Sequence, residues 1–343
     1  MKIIAKIKLI TDKASEKLLF DTMKTFNLAC NEIAETCFQE KSANKIAVQK
    51  LIYYNIRNKY NLSAQLTIRA IAKTCEAYKI NKTVQPKFRK YGSITYDQRI
   101  LTFKGLTSDF PQVSLTTLEG RRSFNLVICD YFAPNINRIQ GQVDLIFKKG
   151  KFYLYATCDM PESTSITIID VLGIDLGVKN IAVDNTGEIF SNEKVEAVRI
   201  KLLNLRTSLQ KKNTKRAKRK LKEISGKEHR FRTNENHRIS KLLVKKAKDT
   251  GCAIALEDLT HINQNTVVRH KQRAERLSWA FYQLRLFITY KAKLAGVMII
   301  LVDPHNTSKT CHKCGYCTSN NRKTQAEFVC KQCGYKDHAD VNA

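Results

Sequence analysis

The 343-residue chain carries 60 lysine and arginine residues against 31 acidic ones, which gives a formal net charge of +29. It is 43% hydrophobic with only 5 prolines and 13 glycines, which excludes a disordered or collagen-like chain and is typical of two or three folded domains. Because such an excess of positive charge repels itself, we infer a polyanionic partner, with nucleic acid favoured over an anionic membrane surface.

The 11 cysteines are odd in number and mostly scattered, which argues against a disulfide framework. No apolar run reaches the roughly 18 residues that a membrane span requires. Residues 1–10 indicate a strand rather than a signal peptide. We therefore expect a reducing compartment, cytosolic or nucleoid-associated, and no membrane partner.

The first half of the chain changes from strand to helix and back. Residues 2–9 alternate charged with apolar side chains, which predicts a strand. Apolar residues follow helical spacing over 15–82, and strand patterns return over 91–160, where Lys149 and Gly150 predict the turn of a hairpin. This order indicates a β-barrel-like domain with an inserted helical lobe.

A polar break at 161–165 predicts a domain boundary. An apolar strand follows over 166–172, and residues 181–190 predict a second hairpin. Two further buried strands are predicted over 251–259 and 297–302. The second half is therefore predicted to be of the α/β class, because helical patterns separate these strands.

Residues 199–248 are the most basic part of the chain, with 19 lysines and arginines against three glutamates. A charge run of this kind is often only a solvated surface. Here leucines recur through the run, so we predict two amphipathic helices with Gly226 in the break and leucines on their inner side. Their exposed faces are expected to contact phosphates. The leucines are Leu202, Leu203, Leu205, Leu209, Leu242 and Leu243.

Residues 277–295 predict a helix rich in aromatic side chains. These could form a stacking surface for bases. Aromatic residues at helical spacing are more often part of a core, and that interpretation is favoured. The residues are Trp279, Phe281, Tyr282, Phe287 and Tyr290.

Two Cys-x-x-Cys pairs predict a metal site near the carboxyl end. Cys311 and Cys314 form the first pair, and Cys330 and Cys333 form the second after 15 intervening residues. Two thiolates from each turn can close a tetrahedron around one Zn²⁺. Such a four-sulfur site is structural, so zinc is not expected to perform chemistry. Two redox dithiols, or ligation by His312 or Cys317, are the weaker alternatives.

Three carboxylates occupy positions where an isolated charge would be costly. Asp175 and Glu257 lie at the ends of predicted buried strands, and Asp340 follows the second cysteine pair. Hard oxygen ligands of this kind hold two Mg²⁺ ions in phosphodiesterases. Taken singly, the same residues could serve a turn, a lysine pair or a helix cap. Nearby acids ranked lower are Asp184, Asp258 and Asp337.

Several of these segments resemble the signatures of the TnpB family of transposon-encoded nucleases, long known as OrfB-type transposases and related to compact type V CRISPR effectors. The resemblance covers about 172–343. The amino half is similar only in plan. The matching segments are Gly173-Ile-Asp-Leu-Gly-Val-Lys-Asn180, Ala255-Leu-Glu-Asp-Leu259, Thr307-Ser-Lys-Thr-Cys311 with the paired cysteines, and Asp340-Val-Asn-Ala343.

This resemblance implies an RNase H-like (RuvC) nuclease domain over 165–306 and 335–343, with a zinc ribbon inserted at 307–334. It further implies a wedge β-barrel over 1–14 and 83–164 that carries a helical recognition lobe at 15–82. Asp175, Glu257 and Asp340 would be the catalytic acids, holding two Mg²⁺ ions. The four cysteines would hold one structural Zn²⁺.

The family resemblance also implies an activity: RNA-guided cleavage of double-stranded DNA next to a short motif, in the cytosol of a prokaryote. The guide RNA would come from the transposon end and bind a monomer of the protein. Related alternatives are a guided regulator that binds without cutting and a DNA strand-transfer transposase. The sequence shows no helix-turn-helix module that the transposase would need.

The carboxyl end departs from the family pattern. In TnpB proteins the last motif continues past Asn-Ala as helix, whereas this sequence ends at Ala343. A helix that carries Asp340 would then have three residues after it and is expected to fray. Nucleic-acid binding is therefore more strongly predicted than cleavage.

Overall fold

The structure is a computed structural model that describes residues 1–177, 179–258, 281–322, 324 and 327–342. The chain divides into two units, Met1–Pro161 and Glu162–Ala343. The division falls at the start of the polar break predicted at 161–165. Within the described residues, no helix combines the length and the apolar character needed to cross a membrane.

The first unit is built on a seven-stranded antiparallel sheet. Strands β2 and β3 lie at its two edges, yet only residues 97–100 separate them in the chain. The sheet must therefore curl until its edges meet, which makes it a nearly closed barrel. In order across the sheet the strands are β2 (Ile94–Tyr96), β6 (Ile139–Lys148), β7 (Lys151–Asp159), β1 (Lys2–Ile10), β5 (Gly120–Val127), β4 (Gln112–Thr117) and β3 (Leu101–Lys104).

The predicted hairpin at Lys149–Gly150 is confirmed. Strands β6 and β7 pair up to Lys148 and Lys151, and both turn residues have positive φ. Alternate side chains of β7 are buried, including Phe152 and Leu154, as the period of two requires.

Three helices follow β1, as the helical spacing over 15–82 predicts. They are α1 (Lys13–Gln39), α2 (Lys45–Tyr60) and α3 (Ala64–Ile80). Each begins after a residue whose side chain accepts a backbone N–H: Asp12, Asn44 and Ser63. The buried side chains of α1 recur every three or four residues from Leu19 to Cys37.

The second unit contains a five-stranded mixed sheet, in which β8, β11 and β12 are parallel and β9 and β10 antiparallel. In order across the sheet the strands are β10 (Ile189–Ser191), β9 (Asn180–Asp184), β8 (Asp170–Asp175), β11 (Cys252–Glu257) and β12 (Ile299–Val302). Helices α6 (Lys227–Asp249) and α7 (Phe281–Ala295) pack on it through side chains such as Leu243 and Ile288.

The strand predicted over 166–172 begins later than expected. Pairing with β11 starts only at Asp170, opposite Cys252. The preceding segment is tied down by single backbone hydrogen bonds, from Ile166 to Gly296 and from Ile169 to Gly251. Apolar composition alone therefore misplaced the start of the strand.

The basic region forms three helices rather than the two that were predicted: α4 (Glu193–Lys212), α5 (Lys215–Ile224) and α6. The additional break is at Asn213, which is left-handed, and Thr214, which caps α5 by accepting Ala217 N–H. The expected inner row of leucines is also partly wrong. Leu243 is buried, but Leu203, Leu205 and Leu242 are exposed.

We call residues 307–338, which contain the four paired cysteines, the ribbon. Its strands β13 (Glu327–Val329) and β14 (Lys336–His338) pair with each other, and the one-turn helix α8 (Ala339–Asn342) follows. Trp279, Leu259 and Ala343 lie outside the described residues, so the predictions that involve them are not addressed.

Candidate active site and metal centre

Two of the three candidate acids are brought together by neighbouring strands. Asp175 ends β8 and Glu257 ends β11, and these strands are parallel neighbours in which Ile174 pairs with Leu256. The carboxyl ends of parallel neighbours lie at the same edge of a sheet. Asp175 and Glu257 therefore share one edge, although 82 positions separate them in the sequence.

The third acid, Asp340, reaches the same edge from α8. Asn180 begins β9, which runs antiparallel to β8 and therefore starts where β8 ends. The side-chain amide of Asn180 donates to Asp340 Oδ2 at 3.2 Å. The structure thus brings together all three carboxylates that the sequence nominated.

The charges of Glu257 and Asp340 lie close enough to Asp175 to affect its ionisation. Burial raises the pKa of Asp175 to about 7, and the negative charges of Glu257 and Asp340 contribute to that rise. A cation bound beside this carboxyl group would offset the repulsion and favour its ionised form. Metal binding requires that this proton leave.

Arg322, which the sequence analysis did not nominate, lies among these acids. Its guanidinium donates to Asp340 Oδ1 at 3.0 Å, and its charge acts to lower the pKa of Asp175. One cation against three carboxylates leaves an excess of negative charge that suits divalent ions. In the sequence, Arg322 is one basic residue among 60, and no local pattern marks it.

The carboxylates do not form a compact ligand cage. Glu257 Oε1 accepts from Thr307 Oγ1 at 2.6 Å, and both oxygens of Asp340 are engaged by Asn180 and Arg322. Within the described part of the chain, only the four cysteines bring three or more candidate ligand atoms within 4.8 Å of one another. Binding of metal at the acids would therefore require these side chains to turn.

The acids that were ranked lower are engaged elsewhere. Asp184 is fully buried, which would raise its pKa, but hydrogen bonds from Lys246 and Thr186 lower the pKa overall. Asp258 pairs with Arg285. Asp337 accepts from Tyr335 and the N–H of His338, which together lower its pKa.

The four cysteine sulfurs fit a tetrahedral zinc site. Cys311 Sγ lies 3.8 Å from Cys333 Sγ, and Cys314 Sγ lies 3.5 Å from Cys330 Sγ. A tetrahedron with Zn–S bonds of about 2.3 Å has edges of about 3.8 Å. Cys317 and His312 are not members of this group.

The backbone around the four cysteines also has the conformation that a zinc site requires. Both turns repeat the same bonds: Gly315 N–H donates to Cys311 O, and Gly334 N–H donates to Cys330 O. Both glycines have positive φ, near +72°. The N–H of Cys333 donates to Cys330 Sγ and lowers the pKa of that thiol, which favours the thiolate that zinc binds.

Solved structures share this fold. The Cas12f1 chain of a Cas12f1–sgRNA–target DNA complex aligns with a TM-score of 0.61 and 16% identity, over 94% of this chain and 81% of that one. The mini-RNA-guided endonuclease CRISPR-Cas_phi3 aligns with a TM-score of 0.58 and 10% identity, over 99% and 91%. The fold is therefore the one seen in compact Cas12 effectors.

Sequence comparisons identify the family. Residues 281–343 match the family model of the Cas12f1-like TNB domain. The TnpB-like protein of Methanocaldococcus jannaschii is 31% identical over 242 residues, which cover 64% of this chain and 84% of that protein. The chain therefore belongs to the TnpB family.

A second group of relatives is longer. The CRISPR-associated endodeoxyribonuclease Cas12f1 of Sulfoacidibacillus thermotolerans is 34% identical over 215 residues, which cover 57% of this chain. The Cas12f1 protein of Syntrophomonas palmitatica is 31% identical over 232 residues, or 60% of this chain. The aligned parts cover 49% and 44% of those two proteins, so this chain spans about half their length.

The zinc assignment predicts a contrast between two cysteines that lie six positions apart. Cys311→Ser removes a ligand, so the purified protein should retain much less than one zinc per chain. Cys317→Ser should retain one zinc, because Cys317 lies outside the four-sulfur group. Elemental analysis of both variants and the parent provides the measurement. Equal zinc content in all three would contradict the assignment.

The pKa of Asp175, raised by burial and by the charges of Glu257 and Asp340, predicts a pH-dependent effect on stability. In the unfolded chain this carboxyl ionises near its ordinary pKa of 3.8, but in the folded protein only near 7. Stability that is complete below about pH 4 is therefore lost as the pH rises to about 7. Without added divalent ions, Asp175→Asn should unfold at a higher temperature than the parent at pH 8, and the difference should vanish near pH 4.

Asp184→Asn is the matched control, because it replaces a buried acid whose pKa is lowered. This substitution should destabilise the protein at pH 8, whereas Asp175→Asn should stabilise it. Thermal unfolding at several pH values distinguishes the two variants. A parent that is more stable than Asp175→Asn at pH 8 would show that ionised Asp175 does not destabilise the folded protein.

Proposed function

We propose that this protein is a transposon-encoded, RNA-guided DNA endonuclease. The convergence of Asp175, Glu257 and Asp340 at one sheet edge, in a member of the TnpB family, is the observation that carries the proposal. Two similar proteins support the same activity: the Cas12f1 relative is an endodeoxyribonuclease, and a Cas12f1 chain with this fold is bound to sgRNA and target DNA. Its partners would be a guide RNA from the transposon end and double-stranded target DNA, bound by a protein monomer.

The domain plan that we propose assigns each part of the chain a role. Residues 165–306 and 335–343 would be the RuvC-like, RNase H-like nuclease domain, interrupted by the zinc ribbon at 307–334. Residues 1–14 and 83–164 would be the wedge barrel, with the recognition lobe at 15–82. The mixed sheet and the three helices that follow β1 support this plan.

For the chemistry, we propose that Asp175, Glu257 and Asp340 hold two Mg²⁺ ions. When bound, the ions would lower the pKa of the attacking water and stabilise the leaving 3′ oxygen. Asp175 must first lose the proton that burial and its acidic neighbours help it to retain. Arg322 holds Asp340 in place beforehand and supplies positive charge where the DNA phosphate would lie.

The basic helices support RNA as the partner. On α5, Ala217 and Ile224 are buried, so the basic side chains are left on the exposed side of the helix. Lys215, Arg219 and Lys222 are exposed and lie on this side. Such a row neutralises phosphates without reading sequence, which suits an RNA that is recognised mainly through its backbone.

A second candidate function is a guided regulator that binds nucleic acid without cutting. One observation favours it: Glu257 and Asp340 already have hydrogen-bond partners and would have to exchange them for metal. The two candidates share the RNA and differ only in whether the acids assemble around Mg²⁺. Cleavage of a matched target therefore decides between them.

The nuclease proposal predicts that two aspartates on the same strand behave differently. RNA that co-purifies with the protein would be sequenced, and matched DNA would be incubated with the complex and Mg²⁺ or EDTA. Asp175→Ala should reduce cleavage by more than the roughly 100-fold that the loss of an outer-shell partner costs. Asp170→Ala, at the opposite and exposed end of β8, should cleave like the parent.

Both variants should bind RNA as tightly as the parent, because neither aspartate lies in the basic region. Undiminished cleavage by Asp175→Ala would overturn the catalytic assignment. A parent that binds RNA and matched DNA but leaves it intact with Mg²⁺ would establish the regulator instead.

The RNA proposal predicts a local loss of affinity when charge is removed from α5. The triple variant Lys215→Gln, Arg219→Gln, Lys222→Gln should weaken RNA binding. It should also flatten the plot of log affinity against log salt by about 0.7 to 0.9 for each phosphate that is no longer neutralised. A control with Lys41, Lys45 and Lys50 changed to Gln removes the same charge from exposed positions at α2 and the turn before it. Equal losses in both would show that only net charge matters.

A further inference from the structure

Asn342 is a buried polar residue with bonds that the proposed chemistry does not use. It lies on α8, two positions after Asp340, and only 5% of it is exposed. Its Nδ2 donates to Thr310 O at 2.8 Å, and its Oδ1 accepts from the backbone N–H of His312 at 3.2 Å. Thr310 and His312 flank Cys311, so Asn342 forms hydrogen bonds to the backbone on both sides of a candidate zinc ligand.

Contacts with the rest of the chain fix the position of helix α8, which spans Ala339–Asn342. Its first residue, Ala339, is buried against Cys311, Phe328 and Cys330 in the small core of the ribbon. The place of Asp340 therefore depends on what the two ends of this turn are attached to.

A buried asparagine within the ribbon, Asn321, has a different role. Asn321 donates to Lys309 O and Tyr316 O and accepts from Lys331 N–H, so all three of its bonds join parts of the ribbon. The bonds of Asn342 instead join the ribbon to the helix that carries Asp340. Loss of Asn342 should thus free α8 while leaving the zinc turns intact.

We propose that Asn342 is a positioning residue that ties the location of Asp340 to the zinc-ordered turn around Cys311. This inference rests on the proposed function, because it concerns how the third carboxylate reaches the Mg²⁺ site. Zinc would fix the backbone of residues 310–312, Asn342 would transmit that order to α8, and Asp340 would be presented to the other two acids. Zinc would then contribute to the active site without contacting the substrate.

The test measures metal binding rather than cleavage. Full-length protein that contains zinc but no other divalent ion is titrated with Mn²⁺, and free Mn²⁺ is followed by electron paramagnetic resonance. Asn342→Ala should raise the Mn²⁺ dissociation constant about 10- to 100-fold, the usual effect of losing an outer-shell partner. Zinc content and RNA affinity should stay at parental values. Asn320→Ala, an exposed ribbon residue, should leave all three unchanged.

A double substitution tests the proposed path through zinc. Cys311→Ser alone should weaken Mn²⁺ binding at least as much as Asn342→Ala, and adding Asn342→Ala to Cys311→Ser should weaken it no further, since both changes break the same connection. Additive losses would overturn the path. So would parental Mn²⁺ affinity in Asn342→Ala, or loss of zinc from that variant, which would mean that Asn342 serves the ribbon itself.

Asp175→Ala separates this inference from the proposed function. If Asp175→Ala does not weaken Mn²⁺ binding, the metal site itself is misassigned. If Asp175→Ala abolishes Mn²⁺ binding while Asn342→Ala retains it, the metal site stands and only the role of Asn342 fails.

Discussion

The cost of holding Asp175 partly buried beside two other carboxylates is the constraint on which the candidate site depends. Burial, together with the negative charges of Glu257 and Asp340, raises the pKa of Asp175 to about 7. A cluster of this kind is unfavourable unless cations compensate it. Arg322 provides a single positive charge. The remaining negative charge is unfavourable for the folded protein and, under the proposed function, would attract divalent ions.

The mixed sheet can bear this repulsion because its strands are fixed. Asp175 and Glu257 lie on parallel neighbours whose register is set by a backbone ladder and by buried residues such as Ile174 and Leu256. Moving either acid away would break that ladder. The sheet therefore holds two of the three charges at one edge, independently of any metal.

Much of the site could be predicted from local sequence. The spacing of the four cysteines identifies them as metal ligands. Asp175 and Glu257 are identified by their position at the ends of apolar strands. Spacing could not decide between Asp340 and Asp337, and the resemblance to TnpB proteins favoured Asp340. In the structure, the tyrosine Tyr335 engages Asp337, whereas Asp340 reaches the sheet.

Other features could not be predicted because they arise only in three dimensions. Arg322 has no distinguishing neighbours in the sequence. Asn342 lies in the Asp340-Val-Asn-Ala343 segment, but the partners of both residues come from folding. The start of β8 at Asp170 depends on where β11 offers hydrogen bonds. The break at Asn213 depends on a left-handed residue within an unbroken basic run.

Asp340 is the least restrained of the three carboxylates, and several contacts hold it and its helix in place. Repulsion acts on all three carboxylates, but Asp340 lies on helix α8 rather than on a strand of the mixed sheet. It should therefore be the first to move away. Asn180 and Arg322 hold the carboxylate itself, and Asn342 holds the helix two positions later. These contacts are therefore found at the least restrained acid. Arg322 belongs to the ribbon, and Asn342 bonds directly to it. Under the role proposed for Asn342, a four-sulfur site that performs no chemistry would still determine whether the third carboxylate lies beside the other two.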